Sequence, residues 1–121
     1  MENCTKLVSY LMHSRTQAHV FHLQTTSFAE HSALNVYYDG IVGLIDGLVE
    51  SYQGKYGIIK DYSSFPLLSY TDKNQVVTYF EQLNQIIEQL RQDNQDSYIQ
   101  NQIDTIIELI RSTLYKLKCL S

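Results

Sequence analysis

Apolar residues recur every three or four positions along most of the chain, which is the spacing of an α-helix. Four such stripes can be traced, and they predict four helices. The stripes are Leu7, Leu11, Ser14, Ala18 and Phe21; Leu34, Tyr38, Ile41, Ile45, Leu48 and Tyr52; Val76, Phe80, Leu83, Ile87 and Leu90; and Ile99, Ile103, Ile106, Ile110, Leu114 and Leu117.

Local signals predict where the helices begin and end. The first helix covers roughly residues 4–24. Ser27 followed by Glu30 is a capping-box pattern, so the second helix begins at Phe28, and Gly54 predicts its end. The third helix follows Asp72, and a polar turn near residues 93–97 separates it from the fourth. One continuous helix across that turn is the alternative.

The second and third helices are joined by a long segment, residues 54–72, which contains the only proline. Nineteen residues reach up to about 63 Å when extended, whereas a helix of about 25 residues is about 37 Å long. A plain up-and-down bundle needs only a few residues here. The chain is therefore predicted to be one all-α domain, residues 1–121. We expect a ferritin-like four-helix bundle with one long crossover between helices 2 and 3.

Charge and composition narrow the classes of partner. The net charge is −4 and the basic residues are scattered, which disfavours nucleic-acid binding. No apolar run is long enough to span a bilayer, and the N-terminus does not resemble a signal peptide. Cys4 and Cys119 lie at opposite ends of the chain, as expected for free thiols in a reducing compartment. We expect a cytoplasmic protein with no membrane partner.

Imidazole and carboxylate side chains are concentrated in the first half of the chain. All four histidines lie within residues 1–31, with His22 near the end of helix 1 and His31 near the start of helix 2. Asp46 and Glu50 follow on one ridge of helix 2, and this mixture of side chains suits iron, manganese or zinc. The alternative is that these polar residues simply flank a core stripe.

Three glycines, Gly40, Gly43 and Gly47, lie inside helix 2, away from its apolar stripe. Each costs about 1 kcal/mol relative to alanine in a helix. Their common face predicts that another backbone approaches there, as in a two-fold dimer through helix 2. Tolerated instability is the alternative.

The segment from His22 to His31, followed by Asp46 and Glu50, resembles the Dps-type mini-ferritins, and also small phage-encoded proteins of similar type. Members carry two histidines and then an Asp-x-x-x-Glu pattern fifteen residues after the second. The resemblance implies a ferritin-like fold and a shell of identical subunits. It also implies iron binding and oxidation at sites shared between subunits. The implied ligands are His22, His31, Asp46 and Glu50, with zinc or manganese as alternative metals.

One departure from that family changes the expected chemistry: Asn35 occupies a position where the family has a further Asp. Helices 3 and 4 also have no Glu-x-x-His pattern, so the di-iron site that true ferritins build within one subunit is absent. His31 and Asp46 are separated by about 22 Å along one helix, so they can share a metal only between two subunits. We expect one divalent ion per site and slow or absent iron oxidation, with no catalytic residue assigned. The alternative is that the chain is a viral helical protein that binds a partner and has no enzymatic activity or metal chemistry.

Overall fold

The computed structural model describes residues 2–121, which form four α-helices and, over that range, no β-strand. The helices are α1 (Glu2–Gln24), α2 (Phe28–Tyr56), α3 (Lys73–Arg91) and α4 (Ser97–Cys119). The predicted all-α four-helix bundle is confirmed at this level. One continuous helix from residue 73 onward is wrong, because residues 92–96 form a turn between α3 and α4.

The predicted start of α2 is confirmed, while its predicted end is wrong. Ser27 Oγ accepts a hydrogen bond of 3.2 Å from the backbone N–H of Glu30. Helix α2 continues through Gly54 to Tyr56 and is ended by Gly57, whose φ of 95° is in the left-handed region. Gly54 does not have a positive φ, so it does not break the helix.

The four helices surround one core, and the backbone of each lies next to two neighbouring helices. The contacting pairs are α1 with α2, α2 with α4, α4 with α3, and α3 with α1. Phe21, Tyr37 and Phe80 are among the largest side chains that are fully buried. Tyr38, predicted to belong to the core stripe, is only half-buried, and Tyr37 takes that place instead.

The segment between α2 and α3, residues 57–72, contains no helix and is hydrogen-bonded to α1 side chains. Ser9 Oγ accepts from Ser63 N at 3.0 Å, and Gln17 both accepts from Leu68 N and donates to Leu68 O. Further along, Gln24 Oε1 accepts from Tyr70 N at 2.7 Å. These contacts follow the same order on the segment and on α1, so the segment lies along that helix.

The two cysteines are free, as predicted. Cys4 is buried near the start of α1, and burial raises the pKa of its thiol to about 11. Cys119 is the last residue of α4 and is exposed. Within residues 2–121, none of the helices combines the length and the apolar character needed to cross a bilayer.

Candidate metal-binding site

His22 and His31 lie against each other at the end of the bundle where α1 turns into α2. Three residues, 25–27, connect the two helices. The two imidazole rings are stacked, with centroids 3.6 Å apart and planes at 21°. His22 is buried and His31 is exposed, so the pair is open to solvent on one side only. The sequence prediction that these two histidines meet is therefore confirmed.

Each of these rings is hydrogen-bonded to the backbone of the other residue. His22 Nδ1 lies 2.8 Å from His31 O, and His31 Nδ1 lies 3.0 Å from His22 O. A carbonyl oxygen can only accept, so both Nδ1 atoms must carry a proton and donate it. In the neutral form of each ring, Nε2 then carries the lone pair. This arrangement is typical of metal-ligating histidines, whose other nitrogen donates to a carbonyl or carboxylate.

A buried carboxylate fixes the backbone between the two histidines. Glu30 Oε1 accepts hydrogen bonds from Thr25 Oγ1 at 2.6 Å and from the hydroxyl of Tyr70 at 2.7 Å. Thr25 Oγ1 in turn accepts from Ser27 N at 3.1 Å. In a capping box the glutamate side chain accepts directly from the N–H of the N-cap residue, whereas here Thr25 Oγ1 lies between Glu30 and Ser27 N. Through Tyr70, Glu30 also binds the segment that precedes α3. The network sets the start of α2 and therefore the position of His31.

Beside the histidine pair, the structure places a group of side chains that the sequence patterns did not bring together. The ring of Tyr38 stacks on His19 with centroids 4.5 Å apart and lies edge-on to His22 at 5.2 Å. Its hydroxyl donates to Asn35 Oδ1 at 2.7 Å, and Asn35 Nδ2 donates to Asp39 at 3.1 Å. Residues 31, 35 and 38 share a face at helical spacing, which is the signal that could have predicted this group.

Asp46 and Glu50 lie away from the histidine pair, on the exposed side of α2. We call this surface the outer face of α2, and it consists of Phe28, Val36, Asp39, Gly43, Asp46 and Glu50. Among residues 2–121, neither Asp46 nor Glu50 forms a hydrogen bond or an ion pair. Over the same range, no group of three or more His, Cys, Asp or Glu side chains could hold a metal within one chain. The four predicted ligands are therefore not assembled within a single chain.

The glycines of α2 differ from one another in their surroundings. A Cβ atom added at Gly40 would lie 3.4 Å from the side chain of Leu109, and one at Gly47 would lie 3.9 Å from Gln102. Both are ordinary contacts with α4. A Cβ added at Gly43 would meet nothing within 4 Å. No backbone of the described chain approaches the three glycines closely enough to require them.

His13 has a structural role away from this site. Its Nε2 donates to the carbonyl of Pro66 at 2.9 Å, and its Nδ1 therefore accepts, in the neutral ring, from the hydroxyl of Tyr79 at 2.8 Å. Phe65 lies edge-on to the same ring. His13 joins α1, the connecting segment and α3, and both of its nitrogens are engaged.

A protein-family profile, described as a family of unknown function (DUF5856), matches residues 22–117. The chain belongs to DUF5856. No curated protein and no solved structure gives a significant match to the chain. The segment that matches DUF5856 begins at His22 and includes His31, Asp46, Glu50 and helices α2, α3 and nearly all of α4.

Proposed function

We propose that this protein is a divergent mini-ferritin of the Dps type that binds one divalent metal ion at each site shared between two subunits. The ligands are His22 and His31 of one subunit with Asp46 and Glu50 of its two-fold mate. Iron is the first candidate metal, and zinc and manganese bind the same donor types. The observation that carries the proposal is the pair of imidazoles whose Nδ1 atoms both donate to backbone carbonyls, which directs both Nε2 atoms toward a ligand role.

The connectivity of the bundle supports the ferritin-like part of the proposal. The segment 57–72 is hydrogen-bonded along α1 from Ser9 to Gln24, in the same direction as that helix. A chain that returns along α1 begins α3 at the end where α2 also begins, so α2 and α3 run parallel. Their backbones stay apart, as expected for opposite corners of the bundle, and they meet through core side chains such as Tyr37 and Phe80. These observations support the proposed bundle with one long crossover.

The outer face of α2 supports a two-fold pairing of this helix. If two copies of α2 pack antiparallel so that His31 faces Asp46 and Glu50 of the partner subunit, Val36 falls opposite the partner's Gly43. Val36 is 48% exposed, and the position of Gly43 is open, so a projecting side chain would meet a gap. The unpaired carboxylates would at the same time meet imidazoles or a cation. The same antiparallel register of two α2 helices is therefore complementary in both shape and charge.

The chemistry of the donor set fits a divalent ion, with one geometric condition. Neutral imidazole nitrogen and carboxylate oxygen are ligands that iron, zinc and manganese accept. The lone pair of Nε2 lies in the plane of its ring, and the stacked rings of His22 and His31 have nearly parallel planes. One ring must therefore turn, and give up its Nδ1 hydrogen bond, for both Nε2 atoms to bind the same ion. A bound ion would supply a Lewis-acid or redox centre at the subunit boundary.

Asn35 explains why we propose one ion rather than two at each site. Both atoms of its amide are engaged, with the oxygen accepting from Tyr38 and the nitrogen donating to Asp39. It also carries no charge, so it cannot offset a second cation. We therefore propose slow or absent iron oxidation. A reducing, cytoplasmic setting is part of the same proposal and is supported by the two free cysteines.

The test measures the mass of the purified protein by light scattering together with its metal content after loading with Zn²⁺ or, without oxygen, Fe²⁺. We expect a mass of at least a dimer and one ion per chain. The double substitution Asp46→Asn with Glu50→Gln should weaken metal binding by at least about a hundredfold, since even outer-shell partners of a metal contribute 10- to 100-fold. A strict monomer at micromolar concentration would exclude the proposal.

A matched control removes the same charges elsewhere. Asp93→Asn with Glu108→Gln changes two exposed acids outside α2 and should leave metal content and mass unchanged. Equal losses in both double variants would mean that the effect comes from net charge rather than from ligation.

The second candidate function is a non-enzymatic interaction protein that keeps the bundle without metal chemistry. The exposed apolar side chains near the α1–α2 turn favour it, since Leu23 is 69% and Phe28 is 82% exposed. Large exposed apolar groups that lie together indicate a surface that another protein covers. A metal-free monomer in the test above would favour this function over the first.

A further inference from the structure

His19 lies on α1 three residues before His22, so the two side chains are neighbours on one face of the helix. Their ring centroids are 6.0 Å apart and their planes cross at 55°. His19 is exposed, and neither of its nitrogens forms a hydrogen bond within residues 2–121. Its ring packs against that of Tyr38, with centroids 4.5 Å apart. His19 therefore offers an exposed imidazole with both nitrogens available.

The relative orientation of His19 and His22 suits a shared metal ion better than the stack of His22 on His31. A metal–imidazole bond lies in the ring plane, so two rings can bind one ion when their planes intersect at it. The planes of His19 and His22 cross at 55°, whereas those of His22 and His31 are only 21° from parallel. His22 has its Nδ1 committed to a carbonyl, which leaves Nε2 for a metal.

The separation of the two rings also fits. A metal–nitrogen bond of about 2.0–2.1 Å places the ion about 3.2 Å from the centre of each imidazole ring. Two rings that bind the same ion therefore have centroids up to about 6.4 Å apart. The observed 6.0 Å falls inside that limit and corresponds to an N–metal–N angle of about 140° at those bond lengths, so the exposed His19 ring must move toward His22 to reach a tetrahedral angle.

We infer that His19 and His22 form a second metal site, which a single chain can build, and which binds a borderline divalent cation such as Cu²⁺. Imidazole-only ligation without carboxylate favours Cu²⁺, Ni²⁺ and Zn²⁺ over iron or manganese. The site needs no second subunit, so it does not rest on the shared site proposed above. It does compete with that site, because the Nε2 atom of His22 binds one ion at a time.

The experiment titrates the full chain with Cu²⁺ by calorimetry and counts the bound nitrogens by electron paramagnetic resonance. The wild-type protein should bind Cu²⁺ through two imidazole nitrogens. His19→Gln changes an exposed helical residue and should weaken Cu²⁺ binding by about tenfold or more, since even outer-shell partners of a metal contribute 10- to 100-fold. It should also leave fewer nitrogens on the ion. The double substitution Asp93→Asn with Glu108→Gln, which leaves the ligands of both proposed sites in place, should leave Cu²⁺ binding unchanged.

Two results would overturn the inference. The first is equal Cu²⁺ affinity of His19→Gln and the wild-type protein. The second is an unchanged number of bound nitrogens in His19→Gln, because the ion would then be held by other side chains. Circular dichroism of each variant shows that the helices are retained. If the protein is a monomer and its Cu²⁺ binding still depends on His19, the shared site is excluded and the His19–His22 site is supported.

Discussion

At the scale of single residues, the core of this bundle depends on a tyrosine that hydrophobic spacing cannot distinguish from its neighbour. Tyr37 is fully buried, and its hydroxyl lies 2.7 Å from Ser14 Oγ. Ser14 donates its own proton to Leu11 O, so Tyr37 is the donor to Ser14. The hydroxyl is therefore satisfied inside the core, and burial raises its pKa.

The substitution Tyr37→Phe should destabilise the protein by about 1 kcal/mol, because it removes one buried hydrogen bond and keeps the ring. Tyr38→Phe is the matched control on the adjacent position and should cost less than about 0.5 kcal/mol, since that side chain lies near the surface. Urea unfolding followed by circular dichroism measures both. A larger loss for Tyr38→Phe would contradict the assignment of Tyr37 to the core.

The choice between these two tyrosines shows a limit of sequence reasoning. From Leu34 to Ile41, a helical stripe can pass through residue 37 by steps of three and four, or through residue 38 by steps of four and three. Both routes fit the same period, and both residues are tyrosine. Only the position of α1, which brings Ser14 to one of them, decides between the two.

At the scale of the helices, α2 carries the features that link the fold to the proposed site. Its start was predictable because Ser27 and Glu30 act locally, within one turn. Its end was not, because Gly54 and Gly57 are both acceptable stops by residue type, and only Gly57 adopts a positive φ. The stacking of His22 and His31 could be expected from the short loop. The hydrogen bonds among Tyr38, Asn35 and Asp39 lie within one turn of α2 and follow its helical spacing, whereas the stacking of Tyr38 on His19 depends on how α1 packs.

A substitution at Gly43 should have opposite effects on the stability of the single chain and on the association of two chains through α2. Gly43→Ala should stabilise a single chain by up to about 1 kcal/mol, since alanine favours the helix and the new Cβ meets nothing. It should also weaken self-association, because Val36 of the partner subunit would lose its gap. Unfolding in urea and sedimentation velocity measure the two quantities.

The control for Gly43 is Gly54, which lies in the same helix and is equally open. Gly54→Ala should raise stability without changing association. If Gly43→Ala and Gly54→Ala have the same effect on the sedimentation coefficient, α2 does not pair through Gly43, and the proposed register is wrong.

The opposite end of the bundle is held by a charged contact between α2 and α4. Lys55 Nζ donates to Asp96 at 2.5 Å, and the hydroxyl of Tyr56 donates to the same carboxylate. These bonds, the one from Lys55 first, lower the pKa of Asp96 and raise that of Lys55 to about 12. Asp96 precedes α4 at the N-cap position but forms no side-chain cap, because its carboxylate is engaged by α2.

Asp96→Asn should lower the melting temperature at neutral pH, since it removes the charge that Lys55 faces. A carboxylate with a lowered pKa stabilises the fold above its ordinary pKa, and this stability is lost as the pH falls through the lowered value. The difference between wild-type and Asp96→Asn should therefore shrink in acid. Asp93→Asn, in the same turn, is the control. A difference that stays constant from neutral to strongly acidic pH would contradict the ion pair.

At the scale of the whole molecule, the bundle and its long connection bring two histidines together and leave two carboxylates unpaired on an exposed face. The fold class could be predicted because four stripes of helical period leave few alternatives. The neighbour relations of the helices could be inferred only from the length of the segment before α3, whose hydrogen bonds to Ser9, Gln17 and Gln24 carry no sequence signature. The proposed shared site requires a second subunit, and the spacing of residues within one chain does not show how two subunits pack.

The most direct test of the shared site is a crystal structure after soaking with Zn²⁺, with the metal located by anomalous scattering. We expect a peak between His31 of one subunit and Asp46 and Glu50 of the partner subunit, about 2 Å from each bound atom. The shared site is contradicted if His31 and the partner's Asp46 lie more than about 8 Å apart, which is too far for one shared ion.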